Sequence, residues 1–183
     1  MLAALVCAFG CGAKTTSPVG PGALAPTSAL RTTEGRDVYF DELAGKVVVL
    51  GFFASWCAPS LAAVSALSRV REQHTDSELV VLAVDVNEGR DTMIAIARAR
   101  GVTLPLARDI DGRVAQQMGI PAIPSIAVID RQGVVRFVHA GYHGSDEIAD
   151  VLSETTALLL QPAPPAPDRP LLRPPFESTV AAK

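Results

Sequence analysis

Two apolar stretches of strand length, residues 47–53 (Val-Val-Val-Leu-Gly-Phe-Phe) and 79–84 (Leu-Val-Val-Leu-Ala-Val), show no polar alternation. A strand without alternation has to be buried on both faces, which is the environment of a central strand in a parallel sheet. Parallel neighbours need a long crossover, usually a helix. Residues 59–74 supply it: Leu61, Val64, Leu67 and Val70 fall on one helical face, and Pro59 suits the first turn, where its missing N–H would have no partner anyway. A β-α-β unit follows, and the remaining elements must be arranged around it.

A second amphipathic helix is expected over residues 90–100, with Met93, Ile94 and Ala97 on one side and Gly101 as its stop, and a short third helix over 111–118. Residues 125–130 and 134–140 have strand character and are separated by Arg131-Gln132-Gly133, a hairpin turn signal. A last helix is expected over 145–160, with Ser145 at its N-cap. The fold class is therefore α/β, a mixed sheet covered on both faces. The chain of 183 residues is 49% hydrophobic and 19% charged, enough for one packed core. Sixteen Lys and Arg against nineteen Asp and Glu, with one Trp, two Tyr and six Phe, leave neither a basic stripe nor an aromatic platform, so no nucleic-acid partner is expected.

The domain organisation is predicted from composition. Residues 1–11 form an apolar signal or lipoprotein segment: Gly10-Cys11-Gly12 places a small residue before a cysteine, as thiol lipidation requires, although no Lys or Arg follows Met1. Cys11 is thus the candidate lipidation site, and membrane association is expected through that lipid anchor alone, in the cell envelope or periplasm of a bacterium. The apolar run over residues 1–13 is shorter than the ~18 residues a spanning helix needs. Residues 12–29 are rich in Gly, Pro, Ser and Thr and suit a flexible linker, residues 30–160 the folded body. Residues 161–183 hold seven of the fourteen prolines and suit an extended, disordered tail.

Of three cysteines, Cys7 and Cys11 lie in the first segment and Cys57 stands alone in the body. Cys57 follows the first central strand, in Ala54-Ser55-Trp56-Cys57-Ala58-Pro59-Ser60, and so sits at the N-terminus of the crossover helix. Unpaired N–H groups and the positive dipole end favour a thiolate there. The competing reading is an inert buried thiol, since free cysteine is among the most buried residue types.

Residues 45–60, Gly-Lys-Val-Val-Val-Leu-Gly-Phe-Phe-Ala-Ser-Trp-Cys-Ala-Pro-Ser, resemble the active-site stretch of the TlpA-like thioredoxin-fold family of redoxins and thiol-disulfide oxidoreductases. Residues 119–133, Gly-Ile-Pro-Ala-Ile-Pro-Ser-Ile-Ala-Val-Ile-Asp-Arg-Gln-Gly, are similar to its cis-proline loop, next strand and hairpin. The resemblance implies a thioredoxin-like three-layer α/β/α sandwich over residues 30–160. It further implies that Pro124 lies against Cys57, with the Ile123 backbone turned outward so that an extended substrate can pair with it. Trp56, Cys57, Pro59 and Ser60 are then the candidate catalytic stretch, and Ile123 and Pro124 the candidate substrate-binding pair.

Departures from the family pattern decide how the chemistry is read. Ser60 stands where the family has its second cysteine, so the motif is Cys-x-x-Ser, and a serine cannot resolve a mixed disulfide. It is expected instead to hydrogen-bond the Cys57 sulfur. Gly51 and Ala63 occupy positions where relatives carry polar or acidic groups, and Ser65 stands at the helix proline. The expected function is monothiol exchange with proteins or small thiols through Cys57. The alternative is a redox-silent binding module using the Ile123-Pro124 groove. A peroxidase ranks last, because Ala54-Ser55-Trp56 lacks the Thr that such a site places before its cysteine. No metal or cofactor is expected. His139 and His143 fit ordinary strand-end histidines, Asp111 a helix cap, and Asp85, Glu88 and Asp91 solvated loop charges.

Overall fold

Burial on both faces is what the two unalternating strands obtain. The computed structural model describes residues 21–162 apart from 73, 76, 87 and 142–144. In chain order these form β1 (Leu30–Thr32), β2 (Asp37–Val38), a 3-10 turn (Phe40–Leu43), β3 (Val47–Phe53), α1 (Ala58–Glu72), β4 (Leu79–Val86) and α2 (Arg90–Ala99). There follow β5 (Leu106–Asp109), α3 (Arg113–Gln117), β6 (Ser125–Ile129), β7 (Val135–Ala140) and α4 (Ser145–Leu159). One seven-stranded mixed sheet has the order β2-β1-β5-β4-β3-β6-β7. β3 runs parallel to β4 from Val47 opposite Leu79 to Phe53 opposite Asp85, and antiparallel to β6.

The faces divide by residue parity. Val47, Val49 and Phe53 of β3, with Val81 and Ala83 of β4, pack against Val64, Leu67 and Val70 of α1, Met93 of α2 and Val151 of α4. Val48, Leu50 and Phe52 point the other way, onto Phe40, Leu43, Val114 and Met118. Gly51 lies on the α1 face. A Cβ built there would stand 2.6 Å from Leu67 Cδ1 and 3.5 Å from Val64 Cγ2, so the missing side chain is what lets α1 settle on the sheet. The polar residue that the family resemblance led us to expect at this position has no room here.

The helices and hairpin expected from the sequence lie within a few residues of their observed bounds. β1, β2 and β5 were not expected, because two to four residues of mixed polarity carry too little periodicity to stand out. The linker expected over residues 12–29 is also shorter at its C-terminal end. Gly22 N–H donates to Val135 O (2.7 Å), Ala25 N–H donates to Gly133 O (2.7 Å), and Ala23 O accepts from Val135 N–H (2.8 Å). Residues 22–25 therefore pair along the start of β7. Cys11, the segment 1–11 and residues 163–183 of the tail lie outside the described residues.

The close approach at Gly51 has a measurable consequence. Gly51→Ala should cost about 1–3 kcal/mol, the usual range for overpacking, and Gly51→Asp should cost more because it adds a buried charge. Urea unfolding midpoints check the order; equal midpoints for wild type and Gly51→Ala would contradict the assigned packing.

Candidate active site

β3 ends at Phe53, the chain passes through buried Ala54 to exposed Trp56, and α1 begins at Ala58. Cys57 occupies the helix-entry position: its N–H donates to Ala54 O (3.0 Å), and its own carbonyl accepts from Ser60 N–H (3.0 Å) and Leu61 N–H (3.3 Å). The first turn of α1 contains no acidic residue to oppose a thiolate. Cys57 is half-buried, and Trp56 beside it is 76% exposed. The sulfur lies 3.8 Å from the carbonyl oxygen of Ile123. The Ile123–Pro124 bond is cis, and the Pro124 carbonyl accepts from Gly141 N–H (2.7 Å). Two segments far apart in sequence thus meet at one sulfur, with Pro124 buried and Ile123 half-exposed.

Ser60 is fully buried, and its hydroxyl serves the backbone. Ser60 Oγ lies 2.6 Å from Cys57 O and 2.9 Å from Ala54 O as donor, and accepts from Ala54 N–H at 3.3 Å. A hydroxyl has one proton to give, and here its acceptors are carbonyls of the turn. The bond expected from Ser60 to the Cys57 sulfur is not among its contacts. Pro59 is exposed on the first turn of α1, where it caps no donor.

Asp85 and Glu88 are the site residues that sequence reasoning placed wrongly, as solvated charges. Asp85 is fully buried near the end of β4, on the α1 face, opposite Phe53 of β3 and Arg108 of β5. Its Oδ2 accepts from Glu88 N–H (3.1 Å), while Oδ1 has no hydrogen-bond partner among the described residues. Burial, then the Glu88 carboxylate beside it, push the Asp85 carboxyl up to about 7; the Glu88 N–H and Arg108 pull the other way. Glu88 reaches back to the turn, accepting from Ser55 N–H (2.9 Å) and from the Ser55 hydroxyl. Burial disfavours its charge, but the Ser55 hydroxyl, the Asp85 carboxyl and the Ser55 N–H outweigh that and hold Glu88 below the usual carboxylate range. A polar cavity of about 290 Å³ opens beside this pair, lined by Asp85, Glu88, Gly89, Arg108, Asp109 and Ile110.

Asp111 caps α3 as expected, accepting from Arg113 N–H (3.4 Å), and Asp109 joins it: its two oxygens accept from Val114 N–H (3.1 Å) and Ala115 N–H (2.8 Å). His139 stacks on Phe137, ring centroids 6.1 Å apart, and His143 lies outside the described residues. Asp91 pairs with Arg90 at the surface. Among the described residues no cluster of three or more His, Cys, Asp or Glu could hold a metal ion, and no helix is long and apolar enough to cross a membrane.

Comparison with known proteins agrees with this geometry. Residues 21–138 match the family model described as AhpC/TSA family. The thiol-disulfide oxidoreductase ResA of Geobacillus thermodenitrificans is 27% identical over 130 residues, covering 71% of this chain and 75% of ResA. The thioredoxin-like protein YneN of Bacillus subtilis is 27% identical over 123 residues, 66% of this chain and 71% of YneN. The solution structure of a proposed protein disulfide isomerase from Bacteroides thetaiotaomicron superposes with a TM-score of 0.70 at 27% identity, covering 78% of this chain and 92% of that one. The fold is thioredoxin-like.

The Asp85 carboxyl gives a pH-dependent stability of defined sign. Its folded value lies above its unfolded one, so folding favours the protonated form; the contribution is complete below 3.8 and is lost as pH rises through about 7. The urea midpoint should therefore fall between about pH 5 and about pH 8, and Asp85→Asn should flatten that fall. An unchanged slope in the variant would show that the carboxyl is ionised throughout.

Proposed function

The chain belongs to the AhpC/TSA family and is a homologue of thiol-disulfide oxidoreductases with a redox, thioredoxin-like role, and from that premise we propose that it works as a monothiol exchanger through Cys57. The observation that carries this reading is the position of the sulfur: half-buried, at the start of α1, and 3.8 Å from the Ile123 carbonyl that precedes cis-Pro124. Partners are disulfide- or thiol-containing proteins or small-molecule thiols, taken as an extended segment along Ile123. No cofactor enters the chemistry.

The Cys57 thiolate attacks one sulfur of a partner disulfide. A mixed disulfide forms, and the other partner sulfur leaves as a thiolate that takes up a proton. Among the described residues Cys57 is the single cysteine, so release needs an external thiolate. That thiolate attacks the partner's sulfur in the mixed disulfide, and Cys57 leaves as the thiolate it began as. The electrons for net reduction come from the external thiols. An envelope location with a lipid on Cys11 belongs to the same reading, supported by residues 1–12 and by a folded body that keeps one thiol.

Ser60→Cys tests the proposal. Wild type should form persistent mixed disulfides and reduce insulin poorly with a dithiol donor. The variant regains a resolving sulfur, so insulin reduction should rise and adducts shorten in parallel, although the Ser60 bonds to Ala54 are weakened and some stability is lost. If the variant closes its intramolecular disulfide while activity and adduct lifetime stay unchanged, the groove does not admit disulfides. The chain would then be a redox-silent binding module.

A further inference from the structure

The turn that carries Cys57 is fastened at three places, of which two are local. Cys57 N–H bonds Ala54 O, and Ser60 Oγ bonds both polar groups of Ala54, all within six residues. Glu88, 33 positions from Ser55 and just after β4, is the tie to a distant segment. We propose that Glu88 is a positioning residue for Cys57: its carboxylate, seated against buried Asp85, holds both donors of Ser55 and so fixes the turn that presents the sulfur to Ile123.

Three features favour this over a passive surface contact. Both oxygens of one carboxylate are used on the N–H and O–H of one residue, which sets the orientation of the peptide as well as its distance. Glu88 is itself held from below, since its N–H donates to Asp85 Oδ2. Asp85 in turn stands opposite Phe53, the last residue of β3 before the turn, so the whole link is referred to the core. Trp56, at 76% exposure, has little packing of its own to fix its peptide. The tie at Ser55 therefore adds to the Cys57 N–H bond to Ala54 O in restraining the residue immediately before the sulfur.

The clamp depends on charge. With Asp85 protonated, Glu88 is the ionised member of the pair. Ionising Asp85 puts a second buried charge beside it and drives the two carboxylates apart. The groups facing Asp85 are few. Arg108 on β5 is its cross-strand neighbour and opposes the repulsion, while Asp109 is committed to Val114 and Ala115. On β3 the neighbour is apolar Phe53, and α1 offers no acid in its first turn. From β1, Arg31 is engaged by Asp37, and at the start of α2 Arg90 and Asp91 are paired with each other.

The inference rests on Cys57 being the reactive group, and iodoacetamide labelling of Cys57 separates the two ideas because it needs no disulfide substrate. Glu88→Ala should lower the labelling rate about tenfold, the scale of a sub-ångström to ångström misplacement. Glu88→Gln, which keeps an acceptor oxygen, should recover part of the rate, and Ser55→Ala, which keeps the N–H bond, should fall between. Asp85→Asn should match wild type at about pH 6 and exceed it at about pH 8, where wild type has lost the proton. Thermal midpoints of each variant control for folding; if Glu88→Ala does not fold, Ser55→Ala and Asp85→Asn carry the test. Wild-type rates in the folded variants, with an unchanged pH profile, overturn the clamp. If wild-type Cys57 labels no faster than an unstructured cysteine peptide, the exchange reading fails, and the comparison of variants with wild type still decides whether Glu88 governs the turn.

Discussion

The seating of α1 on β3 is the contact on which the rest depends. Leu67 and Val64 press toward the bare backbone of Gly51, and that approach sets how far along the sheet the helix begins. Where α1 begins is where Cys57 stands, because the helix takes its first hydrogen bonds from the Cys57 carbonyl. The same approach removes the space a buried acid would need beneath the motif. A packing decision in the middle of a strand thereby fixes both the location of the thiol and the absence of a proton carrier at that position in the strand.

The Ser60 hydroxyl closes the turn by bonding Ala54 and the Cys57 carbonyl. The entry to α1 is thus held by a hydroxyl, and in that geometry Cys57 meets Ile123 O across the site. The buried carboxyl of the site lies elsewhere, at Asp85 on the neighbouring strand, reached through Glu88 and Ser55 rather than through the helix.

The parts legible in the sequence are those whose signals are local. The two apolar runs, the amphipathic crossover and a cysteine at a strand-helix junction are each contained in about ten residues, and each is found where expected. The pairing of Cys57 with Ile123 and cis-Pro124 came from resemblance, since nothing in either segment alone announces the other. Asp85 and Glu88 were illegible for a related reason. An acid at the end of a strand is solvated or buried according to which strands flank it, and the parallel register that sets Asp85 between Phe53 and Arg108 has no local signature.

On the monothiol reading proposed above, a single sulfur in such a frame imposes a division of labour between chain and partner. Exchange at one thiol is symmetric: what Cys57 captures from a disulfide it returns only to another thiol, so the fold supplies orientation and selection while the electrons come from outside. Selection is then the task that this reading leaves to the fold. The sulfur is half-buried and stands against a backbone carbonyl, an approach that favours a partner sulfur on an extended segment over one on a bulky surface. Rigidity of the turn matters more under this arrangement than in a dithiol site. A resolving cysteine corrects a poor encounter by expelling the partner, whereas a lone thiol with a loosely held turn would trap whatever it meets. On that reading, the link from Ser55 to Glu88 and Asp85 secures the turn where no second thiol in the fold corrects an error.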